Sequence, residues 1–262
     1  MSVRCVHSVD DLVLSVKGNM RVGIVIAVVA SLAGCSARAD GESAARDPAS
    51  SIPAARSNEP PSGGLRYVAL GDSYTIGTSV EPAERWPEQL VARLGTTAPT
   101  LTLVANLGVN GYTADDVIRD QLPRLDELRP EFATLLIGVN DVVRGVPGTT
   151  FETNVVAILD ALLARLPADR ILTTATPDYT VTPAGSDYGD PAQQHAGIVR
   201  NNGILERLAR ERGIAYVDTF DISLEAATDR SLVARDGLHP SGAQYARWVE
   251  RIAPVVEELI GR

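Results

Sequence analysis

Lysine is almost missing from this chain: among 262 residues there is one, Lys17. Cysteine occurs only as Cys5 and Cys35, and histidine only as His7, His195 and His239. Each shortage removes a class of chemistry. Beyond Cys35 no thiol is left for a nucleophile, a zinc ligand or a disulfide. Beyond Lys17 no amine is left for a Schiff base, a serine–lysine pair or a phosphate-binding P-loop. Two histidines in the body of the chain are too few for a histidine-rich metal site. Positive charge is short as well: 24 Lys and Arg stand against 33 Asp and Glu, a formal net charge of −9. No basic stripe interrupts that balance, which argues against a nucleic-acid partner, whose phosphates demand a basic surface.

What is present begins with an apolar run. Met20 and Arg21 precede an apolar segment over 22–33, which closes in Leu32-Ala33-Gly34-Cys35. A basic residue, an apolar segment of about a dozen residues and small residues before a cut point make a secretory signal. A helix that spans a bilayer needs about 20 apolar residues, more than this run supplies. Leu-Ala-Gly-Cys resembles the bacterial lipobox. The resemblance implies cleavage before Cys35 and a lipid on its sulfur, and so a membrane partner through that anchor. The alternative is ordinary secretion with Cys35 incidental. Asp10 and Asp11 sit awkwardly ahead of the basic residue, and translation from Met20 would remove them. Residues 36–64 are rich in Ala, Ser, Pro, Arg and Glu, with almost no large apolar side chains, and read as a flexible tether. The expected layout is a signal region at 1–34, a linker at 35–64 beginning with the lipidated Cys35, and a folded domain at 65–262.

From Leu65 on, strand and helix patterns alternate. Strands are expected at 66–73, 101–107, 132–138, 170–175 and 215–220. Helices are expected at 86–94, from Thr113 with Asp116 as a capping-box partner, after Thr149 with Glu152 likewise, at 192–212, and at 242–260 behind Ser241 and Gln244. Pro254 should kink or split the last of these. The polar stretch 177–190 has no clear period. Strands that are apolar without alternation, separated by helices, predict a mainly parallel five-stranded sheet covered on both faces: a single-domain, three-layer α/β/α sandwich. The hydrophobic content of 45% is ample for its core.

Parallel strands place their carboxyl ends on one edge, where ligands bind in open α/β sheets. Four segments fall there: Gly71-Asp72-Ser73-Tyr74 after the first strand, 106–111 after the second, Gly138-Val139-Asn140-Asp141 after the third, and Asp236-Gly237-Leu238-His239-Pro240 before the last helix. A carboxylate three residues before a histidine, across a turn containing glycine, can reach the ring Nδ1–H and leave Nε2 free to take a proton. Asp72 adjoins Ser73 but should diverge from it, and is assigned to local hydrogen bonding. Asp141 and Arg144 read as an ordinary surface ion pair, and His195, with no such carboxylate nearby in sequence, as a surface residue of a helix or loop.

Together these segments resemble the SGNH/GDSL hydrolases, a family of esterases and lipases with a flavodoxin-like sheet. Gly71-Asp72-Ser73-Tyr74 is similar to the family's Gly-Asp-Ser-Leu block, with Tyr74 in place of Leu. Asn106 and Gly111 match its second block, Gly138 and Asn140 its Gly-x-Asn block, and Asp236 and His239 its closing Asp-x-x-His. The resemblance implies Ser73 as nucleophile, His239 as general base and then acid, and Asp236 orienting the imidazole. It implies an oxyanion hole from the Ser73 and Gly111 backbone N–H groups and the Asn140 amide, with Gly111 letting the backbone come close. It also implies a carboxylic ester as substrate, with no metal or organic cofactor. Two alternatives use the same sequence features: an O-acyltransferase or acetylesterase acting on envelope or plant polysaccharide, and a tethered binding lipoprotein without catalysis. Tyr179 and Tyr188 in 177–190 are candidate rim residues. The sequence carries no signal for oligomeric state.

Overall fold

The computed structural model describes residues 64–95 and 100–261; the expected signal region, Cys35 and the linker up to residue 63 lie outside the described residues. The elements run β1 (Gly64–Gly71), α1 (Ser73–Ile76), α2 (Trp86–Leu94), β2 (Thr100–Asn106), α3 (Ala114–Asp116), α4 (Leu125–Leu128), β3 (Phe132–Leu136), α5 (Val139–Val143), α6 (Gly148–Leu163), β4 (Ile171–Thr174), α7 (Pro191–Glu211), β5 (Ala215–Val217), α8 (Phe220–Leu224) and α9 (Gly242–Ile260). The strands form one sheet in the order β2-β1-β3-β4-β5, with every pairing parallel. The chain steps from β1 to β2 on one side and then crosses to β3 on the other. That reversal opens a crevice beyond the carboxyl ends of β1 and β3, the place where such sheets hold ligands.

Successive side chains of a strand point to opposite faces, and here both faces are apolar. Tyr67 and Ala69 of β1 enter one core, with Trp86 and Leu90 of α2 and Tyr245, Trp248 and Ile252 of α9. Val68 and Leu70 enter the other, with Val117, Leu125, Phe151, Ile158 and Leu205. This is why β1 from Tyr67 on and β3 read as largely apolar runs: there each residue is buried, whichever way it points. The expected three-layer α/β/α sandwich with a five-stranded sheet is the fold observed.

Several local expectations shift. The first strand ends at Gly71, so Ser73 opens a helix rather than closing a strand. The Thr113–Asp116 capping box forms in both directions. The Thr149–Glu152 box does not: α6 begins earlier, at Gly148 behind Pro147, and its cap makes no side-chain hydrogen bond. At α9 only half of the reciprocal pattern forms, with the Ser241 hydroxyl accepting the Gln244 N–H. Pro254 does not split α9. It lies on the exposed face, where water can satisfy the carbonyl that loses its partner.

Candidate active site

The first segment is built at the end of β1. Asp72 caps α1, its Oδ1 accepting the Tyr74 N–H at 3.0 Å, as its assignment to local hydrogen bonding requires. It is fully buried, and its Oδ2 has no partner among the described residues. Burial pushes the Asp72 carboxyl up to about 8 against the pull of the Tyr74 N–H, and the charge of Asp141 adds to the rise. Ser73 is the first residue of α1 and 7% exposed. The N–H of a first helical residue has no acceptor within its helix. Behind it, the Gln121 amide grips both backbone groups of Gly71, accepting the N–H at 3.0 Å and donating to the carbonyl at 2.7 Å. Gln121 closes a π-helical turn over Val117–Gln121, an irregularity common near functional sites. No sequence pattern marked this residue.

Asp236 and His239 meet as their spacing predicts. The turn between them closes through Ala234 N–H donating to the His239 carbonyl at 2.7 Å. His239 Nδ1 lies 2.7 Å from Asp236 Oδ2, while Oδ1 accepts the backbone N–H groups of Leu238 and His239 at 2.9 and 3.0 Å. Oδ2 also accepts from the Ser79 hydroxyl at 2.7 Å. Partial burial alone would raise this carboxyl. The hydrogen bonds, from Ser79 first and then from Leu238 and His239, outweigh it and hold the group at about 2. An ionised carboxylate only accepts, so the imidazole proton sits on Nδ1 and Nε2 carries the lone pair.

The second and third segments interlock. Asn140, in the first turn of α5, donates from Nδ2 to the Tyr112 carbonyl at 2.9 Å. One amide hydrogen is thereby fixed and the other stays available. Gly111 has φ of +79°, a conformation that favours glycine, but a Cβ there would meet only Arg144 Nη2, at 3.5 Å. Close approach is instead required at Gly108, where a Cβ would lie 2.5 Å from the Ile76 nitrogen and 2.7 Å from the Asp72 oxygen. The expected Asp141–Arg144 surface pair is not what forms. Asp141 is buried and accepts the Ala114 N–H at 3.0 Å, with burial pushing its carboxyl up to about 6. Arg144 donates to the Gly111 carbonyl at 2.6 Å and lies 3.8 Å from Asp116.

Ser73, Asn140 and His239 line one open cleft of about 260 Å³, with Val139, Val143, Leu238, Tyr179 and Tyr188 around them. Tyr179 is buried and Tyr188 is 42% exposed. Their rings meet edge to face with centroids 5.7 Å apart. The loop 177–190 therefore does supply a wall of the cleft. His195 is exposed on α7, as expected, but it is not without a carboxylate: its Nδ1 lies 2.5 Å from Oδ2 of the buried Asp178, 17 residues back. Asp178 Oδ1 in turn holds the Thr180 N–H and hydroxyl at 2.9 and 2.6 Å. This pair ties loop 177–190 to α7. The separation hid it, because sequence pattern reveals partners within a turn and not across a loop.

A hydroxyl, an imidazole aligned by a carboxylate, and an amide donor around one cleft, at the carboxyl edge of a parallel sheet, define the site of an α/β hydrolytic enzyme with a serine. Residues 69–247 match the model of the GDSL-like lipase/acylhydrolase family, and the chain belongs to that family and so to the carboxylic ester hydrolases. No curated protein sequence matches it. Among solved structures, the fold is similar to that of TesA, with a TM-score of 0.58 at 19% identity over 74% of this chain and 99% of that one. It is similar also to the psychrotrophic esterase EstA from Pseudoalteromonas sp., with 0.58 at 17% identity over 76% and 100%. An acetylxylan esterase from Geobacillus stearothermophilus gives 0.56 at 19% identity over 76% and 95%.

Proposed function

We propose that this chain hydrolyses small, water-accessible carboxylic esters through an acyl-enzyme on Ser73. The observation that carries the proposal is the Asp236–His239 pair at 2.7 Å, whose imidazole lines the same cleft as Ser73 and Asn140. The Ser73 Oγ adds to the ester carbonyl while His239 Nε2 takes its proton. The carbonyl oxygen becomes an oxyanion, received by the N–H groups of Ser73 and Gly111 and the free Asn140 amide hydrogen. Donors placed in advance of the charge are worth several kcal/mol of barrier. The intermediate collapses, the C–O bond to the alcohol breaks, and His239 returns the proton to the leaving alkoxide. Water then attacks the acyl-enzyme with His239 again as base, releasing the carboxylic acid and Ser73. Asp236 stays ionised throughout and stabilises the imidazolium.

The apolar wall of Val139, Val143 and Leu238, narrowed by the tyrosine pair, suits a short acyl group. We propose further that the enzyme is exported and held at the outer face of a bacterial membrane by a lipid on Cys35; what supports this is the sequence over 20–35. Hydrolysis of p-nitrophenyl esters from acetate to palmitate, by the full chain and by Ser73→Ala, tests the activity. The expected result is turnover that favours short chains and vanishes in the variant. Undiminished turnover by Ser73→Ala would refute the nucleophile, and transfer to an added sugar without net hydrolysis would replace hydrolysis by acyl transfer. Cys35→Ser should move the protein out of the membrane fraction of a producing cell.

A further inference from the structure

We infer that Ser79 is a positioning residue for this reaction, locking the turn that carries Asp236 and His239 to the helix that carries Ser73. The inference rests on the roles proposed above for those three residues. Asp236 receives four hydrogen bonds, and three come from inside its own turn: Leu238 N–H, His239 N–H and His239 Nδ1. The fourth, the Ser79 hydroxyl at 2.7 Å, is the one that arrives from the α1 side of the cleft. It falls on Oδ2, the oxygen that faces the imidazole. The other end of the link is short. Thr78, next to Ser79, donates its N–H to the Ser73 carbonyl at 3.0 Å, while its hydroxyl donates to Asn110 Oδ1 at 2.5 Å. The path from nucleophile to base therefore runs Ser73, Thr78, Ser79, Asp236, His239, with a single hydroxyl contact joining Ser79 to Asp236.

The backbone at Ser79 shows that this contact is held against a cost. Its φ is +67°, and among the described non-glycine residues only Arg129 shares a positive value. A Cβ crowds the following carbonyl in that conformation. Non-glycine residues keep such angles where the surroundings over-determine them, and these places cluster at active sites. A glycine at 79 would relieve the strain but offer no hydroxyl. Asp236 is also the carboxyl whose acidity reports the contact: burial works to raise it, and the Ser79 hydroxyl is the largest of the contributions that lower it.

Ser79→Ala and Ser79→Gly, in the full chain, separate positioning from structural support. Both remove the hydroxyl, but glycine accepts φ of +67° and alanine does not, so the glycine variant should melt higher than the alanine variant. Losing a hydrogen bond to a charged group costs about tenfold or more, so kcat on p-nitrophenyl acetate should fall about tenfold in both, with KM within about twofold of wild type. The rates should match each other although the melting temperatures differ. Wild-type kcat in Ser79→Gly, or a rate that follows melting temperature across the two variants, would overturn the inference. Ser73→Ala, assayed alongside, keeps the two failures apart. If it is inactive while both Ser79 variants turn over normally, the positioning role alone falls. If it turns over, the proposed nucleophile falls first.

Discussion

Asp72 should set a stability that declines as the solution becomes less acidic. Its carboxyl is fully buried, caps α1 through one oxygen and leaves the other without a partner among the described residues. Burial raises it from the ordinary 3.8 to about 8. The folded protein therefore keeps a proton that the unfolded chain releases. The contribution is fully present below the unfolded value near 4 and is lost progressively until the folded group itself ionises near pH 8. At 1.36 kcal/mol for each pH unit, the loss by pH 7 is about 4 kcal/mol. Asp72→Asn removes the titration while keeping the oxygen that accepts the Tyr74 N–H. Its buried amide hydrogens cost something of their own, by an amount that does not change with pH. The quantity to measure is thus the difference in unfolding free energy between variant and wild type, by urea denaturation at intervals from pH 4 to pH 9. Carboxylates that do not interact with Asp72 cancel in that difference, which leaves Asp72 and its coupling to Asp141. It should move in favour of the variant by about 4 kcal/mol between pH 4 and pH 7 and level off above pH 8. A difference constant to within about 1 kcal/mol across the range would refute the reasoning. It would mean that water or the neighbouring backbone solvates Asp72 as an anion, and that the carboxyl beside Ser73 is charged.

Three further substitutions bear on the site. Asn140→Ala should lower kcat by about 10²–10³ with a smaller change in KM, as expected for a donor that meets charge developing in the transition state; a change confined to KM would place Asn140 in ground-state binding. Gly108→Ala should destabilise the fold by about 3 kcal/mol, because its Cβ would press on the backbone of Ile76 and Asp72 at 2.5 and 2.7 Å. Gly111→Ala, which meets only an arginine tip at 3.5 Å, should cost about 1 kcal/mol from its positive φ, and equal losses in urea denaturation would contradict this division between the two glycines.

Much of this was legible along the chain. The Asp236–His239 contact spans three residues and one turn, so spacing alone allowed it. The apolar runs at β1 and β3 follow from burial on both faces, and the helix over 191–211 from its period and its stop before Gly213. Other contacts were not legible. Asp178 meets His195, 17 residues on and already inside α7, and Asp141 turns inward to Ala114, 27 residues away, instead of pairing with nearby Arg144. Gln121 reaches Gly71 over 50 residues. Ser79 reaches Asp236 over 157, with no motif around it.

The sequence by itself determined the strand–helix order, the class of sheet and the four segments that reach its carboxyl edge. These follow from period, capping and turn chemistry, each of which acts within a few residues. Only the tertiary structure decided which glycine admits the neighbouring backbone, which carboxylates are buried, and that the Ser79 hydroxyl meets Asp236. Those depend on where separate segments are packed against one another, and burial and distance are properties of the packed chain that no local pattern contains.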